Sequence, residues 1–167
     1  HRLATCAPMH LEATVRVLQR RPSNLVDTWE LDRYRRVLTT SDGLALIDVT
    51  NLGTIEAPDL RYSVTSGVVS SVARDRVATT LGRVLGLDVD PRPLQRLAEA
   101  VRGLRPTACA LRGMRPPRFG ELFEAVANVI PFQQVSLDAG VAIVGRLVRR
   151  FGQRLEWEGR RLHAFPA

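Results

Sequence analysis

Lysine is absent from the 167 residues, so all 24 basic side chains are arginines. Cysteine is scarce: Cys6 and Cys109 stand far apart with no second thiol near either. That spacing excludes a disulfide scaffold and a zinc ribbon, and predicts free thiols in a reducing compartment. The three histidines, His1, His10 and His163, offer no pair at helical i, i+4 spacing, so no metal site is expected and they read as surface residues. No cofactor is expected either. Charged residues interrupt every apolar stretch well short of the roughly 18 residues of a membrane-spanning helix. Residues 1–8 hold one arginine, no signal-peptide core and no initiator Met, so this end is expected to reflect expression or proteolysis rather than secretion.

What the chain does have is an uneven charge. Residues 1–91 balance 11 Arg against 11 acids, whereas residues 92–167 hold 13 Arg and 6 acids, which places the whole net charge of +7 in the second part. A local basic surface made of guanidinium forks suits phosphate recognition and hence a polyanionic partner. A solvated basic face is the alternative at this point.

The first third is rich in β-formers. Leu11 to Leu18 alternates Leu11, Ala13, Val15 and Val17 with polar positions, which predicts a half-buried strand. Tyr34–Thr40, Leu44–Thr50 and Leu60–Thr65 read as further strands, the first two joined through Ser41-Asp42-Gly43, a hairpin signal. Beyond Gly67 the period changes. Val68, Val69, Val72, Ala73, Val77, Leu81, Val84 and Leu85 share one helical face, and Gly86 supplies a stop. Such a helix covers one face of the sheet. Asp90-Pro91 opens a helix ending near Gly103, a short helical piece spans Thr107–Leu111, and Arg112–Arg118 reads as an extended connector. Two amphipathic helices follow: Phe119–Ile130, then one with Val135, Ala139, Ala142, Ile143, Leu147, Val148 and Phe151 inward and Arg146, Arg149 and Arg150 outward. The expected fold class is α+β, with an antiparallel sheet and covering helix at residues 9–88 and a helical segment at 89–167.

Between the last two helices lies Pro131-Phe132-Gln133-Gln134. Paired amides carry donors and acceptors suited to base edges or to a gap in a base stack; they equally suit a polar turn that caps backbone groups. Proline should end or kink the preceding helix, and Phe132 either narrows a pocket or packs in the core. Arg115 and Arg118 flank the stiff Pro116-Pro117 pair and either reach phosphates or pair locally with Glu121 or Glu124. Glu124 and Asp138 read as solvent-facing, and Trp29, Tyr34 and Tyr62 as core packing.

The stretch Phe119–Gly152, F-G-E-L-F-E-A-V-A-N-V-I-P-F-Q-Q-V-S-L-D-A-G-V-A-I-V-G-R-L-V-R-R-F-G, resembles the first helices of the helix-hairpin-helix DNA glycosylase superfamily, in particular its bacterial DNA-3-methyladenine glycosylase II branch. The connector Leu111–Phe119, the Gln133-Gln134-Val135-Ser136 run, Phe165-Pro166 and Leu85–Val89 carry the same resemblance. It covers residues 80–167 well and extends more weakly to the sheet. The resemblance implies double-stranded DNA with alkylated bases as partner, base flipping followed by N-glycosidic hydrolysis, and a bacterial, nucleoid-associated setting. It implies that Gln134 fills the gap left by the extruded nucleotide, with Gln133 and Ser136 ordering the turn and Arg115 and Arg118 touching DNA. Pro131 and Phe132 depart from the small or aliphatic residues usual there. The glycine-turn hairpin and the catalytic Asp of the family are expected beyond Ala167, so the chain is expected to be an inactive N-terminal fragment that self-associates through uncovered apolar surface. A non-catalytic nucleic-acid-binding module is the alternative, and a ligand-binding or interaction domain with incidental charge is a third.

Overall fold

A computed structural model describes residues 1–166. Four strands, β1 (Thr28–Glu30), β2 (Arg33–Thr40), β3 (Gly43–Asn51) and β4 (Leu60–Ser66), form an antiparallel meander in sequence order. The three expected strands lie in β2, β3 and β4. The short β1 had no sequence expectation. It pairs Trp29 with Tyr34 across a turn whose two residues, Leu31 and Asp32, both take positive φ, at 50° and 56°. That conformation closes a two-residue hairpin but is uncommon for a Leu, so the usual Asn-Gly signature is missing.

Leu11–Leu18 is not a strand. Leu11–Gln19 forms a helix, α1, started by the His10 side chain, which accepts from the Ala13 amide at 3.3 Å. Leu11, Val15 and Leu18 are buried at i, i+4, i+7, while Val17 is exposed. The alternation of Leu11, Ala13, Val15 and Val17 also contains this helical stripe, and tertiary packing chose the helix. Helix α2 runs Ser71–Val84, capped by Ser70, and buries Ala73, Val77, Leu81 and Val84. Val68 precedes it and Val72 points outward, so both expected face residues are exposed. Gly86, at φ +63°, ends this region as the sequence predicts. Helices α1 and α2 share a core with Tyr34, Leu38, Ala45, Ile47 and Val49 from one side of the sheet.

The other side of the sheet is covered too. A C-terminal hairpin of β5 (Arg154–Trp157) and β6 (Arg160–His163) places Leu155, Trp157, Leu162 and Ala164 against Val37 and Leu46. Arg35 stacks on Trp157, its guanidinium carbon 4.3 Å from the ring centroid, and grips Asp48 through bonds of 2.7 and 2.8 Å. Burial would raise the Asp48 carboxyl; the Arg35 bonds and charge outweigh it and hold it below the usual range. His163 is buried here rather than on the surface. Burial, together with Arg154 and Arg149, pushes its imidazole below the ordinary histidine value.

The remaining helices are α3 (Arg92–Ala100), α4 (Arg105–Ala110), α5 (Leu122–Val129) and α6 (Leu137–Phe151). Their positions follow the expected segments, although α3 ends before Gly103 and α6 presents a different face. Gly140, Val141, Gly145 and Val148 are its buried residues, whereas Ala142 and Phe151 are exposed.

A buried polar network ties α5 to the sheet. Arg36 on β2 donates from one terminal nitrogen to both Glu124 carboxylate oxygens at 2.7 Å and from the other to Asp27 at 2.9 Å. Asp27 also accepts the Tyr34 hydroxyl at 2.7 Å, and Glu124 accepts the Gly120 amide at 3.0 Å. Glu124 is thus buried, not solvent-facing: its charge is matched by an arginine brought from 88 positions away. Desolvation opposes the Arg36 charge, but Asp27 and its other partners raise its guanidinium well above its ordinary value. Arg36→Ala strands two carboxylates away from water and should cost about 3–5 kcal/mol, read as the loss in urea unfolding free energy.

Candidate nucleic-acid interface

Helix α5 gives way to a 3-10 turn at Ile130–Phe132, with Pro131 in its first positions, where no amide donor is needed. The expected break at this proline is therefore a change of helix type rather than a simple stop. The Gln133 amide closes the turn on the Ile130 carbonyl at 3.3 Å. Gln133, Gln134 and Val135 then stand in solvent before Ser136 starts α6, its hydroxyl accepting from the Ala139 amide at 3.3 Å. Ser136 thus orders the turn as an N-cap.

Phe132 anchors the turn from below. Its half-buried ring lies under the Arg20 guanidinium, 4.2 Å from carbon to centroid, and against the bare backbone of Gly140. It packs rather than lining an open pocket. Arg20 also donates to Asn128 at 3.2 Å, and Arg21 pairs with the exposed Asp138 at 2.6 Å. Of these two arginines Arg21 is thus matched by a carboxylate, whereas Arg20 is held by a neutral amide and an aromatic ring. Arg146, Arg149 and Arg150 lie on the exposed side as expected, nearer its other end.

The two connector arginines part company. Arg115 is fully buried and donates to the Cys6 and Pro8 carbonyls, so it offers no surface to a phosphate. It contacts neither Glu121 nor Glu124. Arg118 is exposed and pairs with Asp88 instead of those two glutamates. No residue pattern signals that the connector threads beneath the N-terminal residues, because the partners of Arg115 are backbone carbonyls.

Beside the amide turn, α5 turns an apolar side to solvent. Leu122 is 76% exposed and Ile130 65%, with Phe123, Val126 and Val129 also uncovered. Between this helix, α2 and β2 lies an open cleft of about 590 Å³ whose floor includes Val37 and Val77 and whose rim includes Phe123 and Phe165, in edge-to-face contact at 6.1 Å. The sequence placed Phe123 on an amphipathic helix but could not show that its apolar side lacks a cover. The arrangement juxtaposes exposed amides, an apolar wall and a cleft, which suits contact with a flat, partly apolar ligand such as an unstacked base.

A model of the AlkA N-terminal domain matches residues 1–121. The chain is 28% identical over 93 residues to a DNA-3-methyladenine glycosylase of Bacillus subtilis, covering 56% of this chain and 31% of that protein. It is 31% identical over 137 residues to a probable bifunctional transcriptional activator/DNA repair enzyme AlkA of Mycobacterium tuberculosis, covering 80% and 26%. Among solved structures, 3-methyladenine DNA-glycosylase from Archaeoglobus fulgidus superposes with a TM-score of 0.78 at 22% identity, over 100% of this chain and 56% of that one. A Clostridium acetobutylicum 8-oxoguanine glycosylase/lyase in complex with double-stranded DNA gives 0.65 at 13% identity, over 96% and 49%. The chain spans under a third of these curated relatives and about half of these solved chains.

The Phe132 seat has a direct test. A Cβ at residue 140 would stand 2.4 Å from the Phe132 ring, so Gly140→Ala must push the ring and the turn aside, at about 1–3 kcal/mol. Gly82→Ala, in α2 with open space around it, should be neutral or slightly stabilising. Urea midpoints of the two variants read the difference.

Proposed function

The chain belongs to the AlkA N-terminal domain family, and from that premise we propose that it is the front part of a base-excision repair glycosylase acting on alkylated purines in double-stranded DNA. The observation that carries this reading is the exposed Gln133-Gln134 turn, held rigidly between two helices by Phe132 and Ser136. In this reading residues 9–88 form the sheet unit and residues 89–167 belong to the helical unit. Extruding a nucleotide costs a few kcal/mol of stacking and pairing. Gln134 enters the vacated space, recovers part of that contact, and its amide bonds the orphaned opposite base. Gln133 and Ser136 hold the turn in place. Arg118 exchanges Asp88 for a DNA phosphate, while Arg115 has no direct DNA contact.

The hydrolytic step needs a carboxylate to stabilise an oxocarbenium-like state while water attacks. Glu124 is already committed to Arg36 and Asp138 to Arg21. By the resemblance to the glycosylase family, the carboxylate is proposed to lie outside these 167 residues, and the setting to be the bacterial cytoplasm, at the nucleoid.

The chain by itself should bind duplex DNA with an affinity that falls log-linearly with salt, and release no base from methylated duplex. Gln134→Ala should reduce the preference for a duplex carrying a tetrahydrofuran abasic nucleotide by about fivefold, the worth of about one net hydrogen bond. An unchanged preference in fluorescence anisotropy would remove Gln134 from this role. Lesion-independent binding that the variant leaves intact would favour the non-catalytic binding module.

The uncovered apolar sides of α5 and of α3, where Leu94 is 72% exposed, lead us to propose that the chain also self-associates. Light scattering should then give a mass above that of one chain at tens of micromolar, and a one-chain mass throughout would overturn this.

A further inference from the structure

Burying a guanidinium without a carboxylate is costly, because its charge loses water and gains only neutral acceptors. Arg115 is in that position. One terminal nitrogen donates to the Cys6 and Pro8 carbonyls and reaches the Cys6 sulfur at 3.3 Å, while Nε and the other terminal nitrogen have no partner. Asp90, whose carboxyl feels the Arg115 charge, is itself gripped by Arg92 through bonds of 2.8 and 3.0 Å. Cys6 is a free, half-buried thiol, and it lines an open cleft of about 660 Å³ together with Thr79, Arg83, Asp88 and Arg118. A free sulfur on a cleft residue thus lies 3.3 Å from one nitrogen of a buried guanidinium whose two other nitrogens have no partner. The cleft lies apart from the glutamine turn, and although Arg118 and Asp88 on its wall take part in the DNA contact proposed above, the Cys6 sulfur and Arg115 do not.

We propose that Cys6 is an oxidation site, with Arg115 as the anion-holding partner for its oxidised sulfur. The oxidant is hydrogen peroxide. The Cys6 sulfur attacks one peroxide oxygen, an S–O bond forms as the O–O bond breaks, and the departing hydroxide takes the thiol proton to leave as water. Sulfur is oxidised by two electrons and the peroxide reduced by two. The guanidinium lies beside the charge that develops on the departing oxygen, which is where a fixed cation lowers a barrier. A second equivalent repeats the exchange and gives a sulfinate, whose anionic oxygens offer an acceptor to an Arg115 N–H that has no partner.

Cys109, exposed on α4, is an internal reference in the same molecule. The native chain treated with hydrogen peroxide at pH 7 and followed by peptide mass mapping should gain one and then two oxygens at Cys6 at least about tenfold faster than at Cys109. In urea the two rates should converge, since the guanidinium is no longer held at the sulfur. Arg115→Gln should bring the native Cys6 rate to that of Cys109; should that variant not fold, the native and urea rates of the unsubstituted chain decide alone. Equal rates in the native chain, or faster oxidation of Cys109, overturn the proposal. Loss of DNA binding in Gln134→Ala has no bearing on these rates, so the two readings fail independently.

Discussion

The fold turns on the burial of Arg36. Its position on β2, between Tyr34 and Leu38, faces the core shared with α1 and α2, where a charged group is affordable only if fully matched. Asp27 and Glu124 supply that match from opposite sides in sequence, one before the sheet and one on α5. The helix carrying the apolar wall, and through it the 3-10 turn and the exposed amides, is therefore registered against the sheet by charge pairing as much as by packing. Apolar contacts alone tolerate sliding; a guanidinium between two carboxylates specifies one placement.

The elements driven by local pattern are legible: β2 to β4, α2, α5 and α6 follow in place and type from apolar spacing, whereas the faces that α5 and α6 bury and the caps Ser70 and Ser136 do not. Residues 11–18 were misread because their apolar positions satisfy both a period of two and a period near 3.6, and only the partners in the core decide between them. The C-terminal hairpin was missed although Glu158-Gly159, both at positive φ, sits between Leu155-Glu156-Trp157 and Leu162, a pattern that signals it. With that hairpin unseen, the outer side of the sheet had no expected cover, and the buried run from Tyr34 to Leu38 had no explanation.

At the candidate interface the amide turn and its proline are legible in the sequence, since those are local features. The fate of the charged residues was not local. Glu124 and Arg115 look alike on paper as polar residues near a connector, yet both are buried, one through a partner on a distant strand and the other through backbone carbonyls near the N-terminus. Arginine in particular hides its role, because the same fork serves carboxylates, carbonyls, aromatic faces and phosphates. Here it does the first three within one molecule, at Arg36, Arg115 and Arg35.

The parallel bridge between Val37 and Ala164 brings the end of the helical segment back onto the strand that also holds Glu124 through Arg36. The helices are in consequence an excursion tethered at both ends to one scaffold, and not an arm hanging from a single linker. Repositioning of the amide turn over a ligand must then come from bending within α5 and α6 or from the Gln133–Val135 bend itself, since a swing of the entire helical segment would tear one of its two moorings.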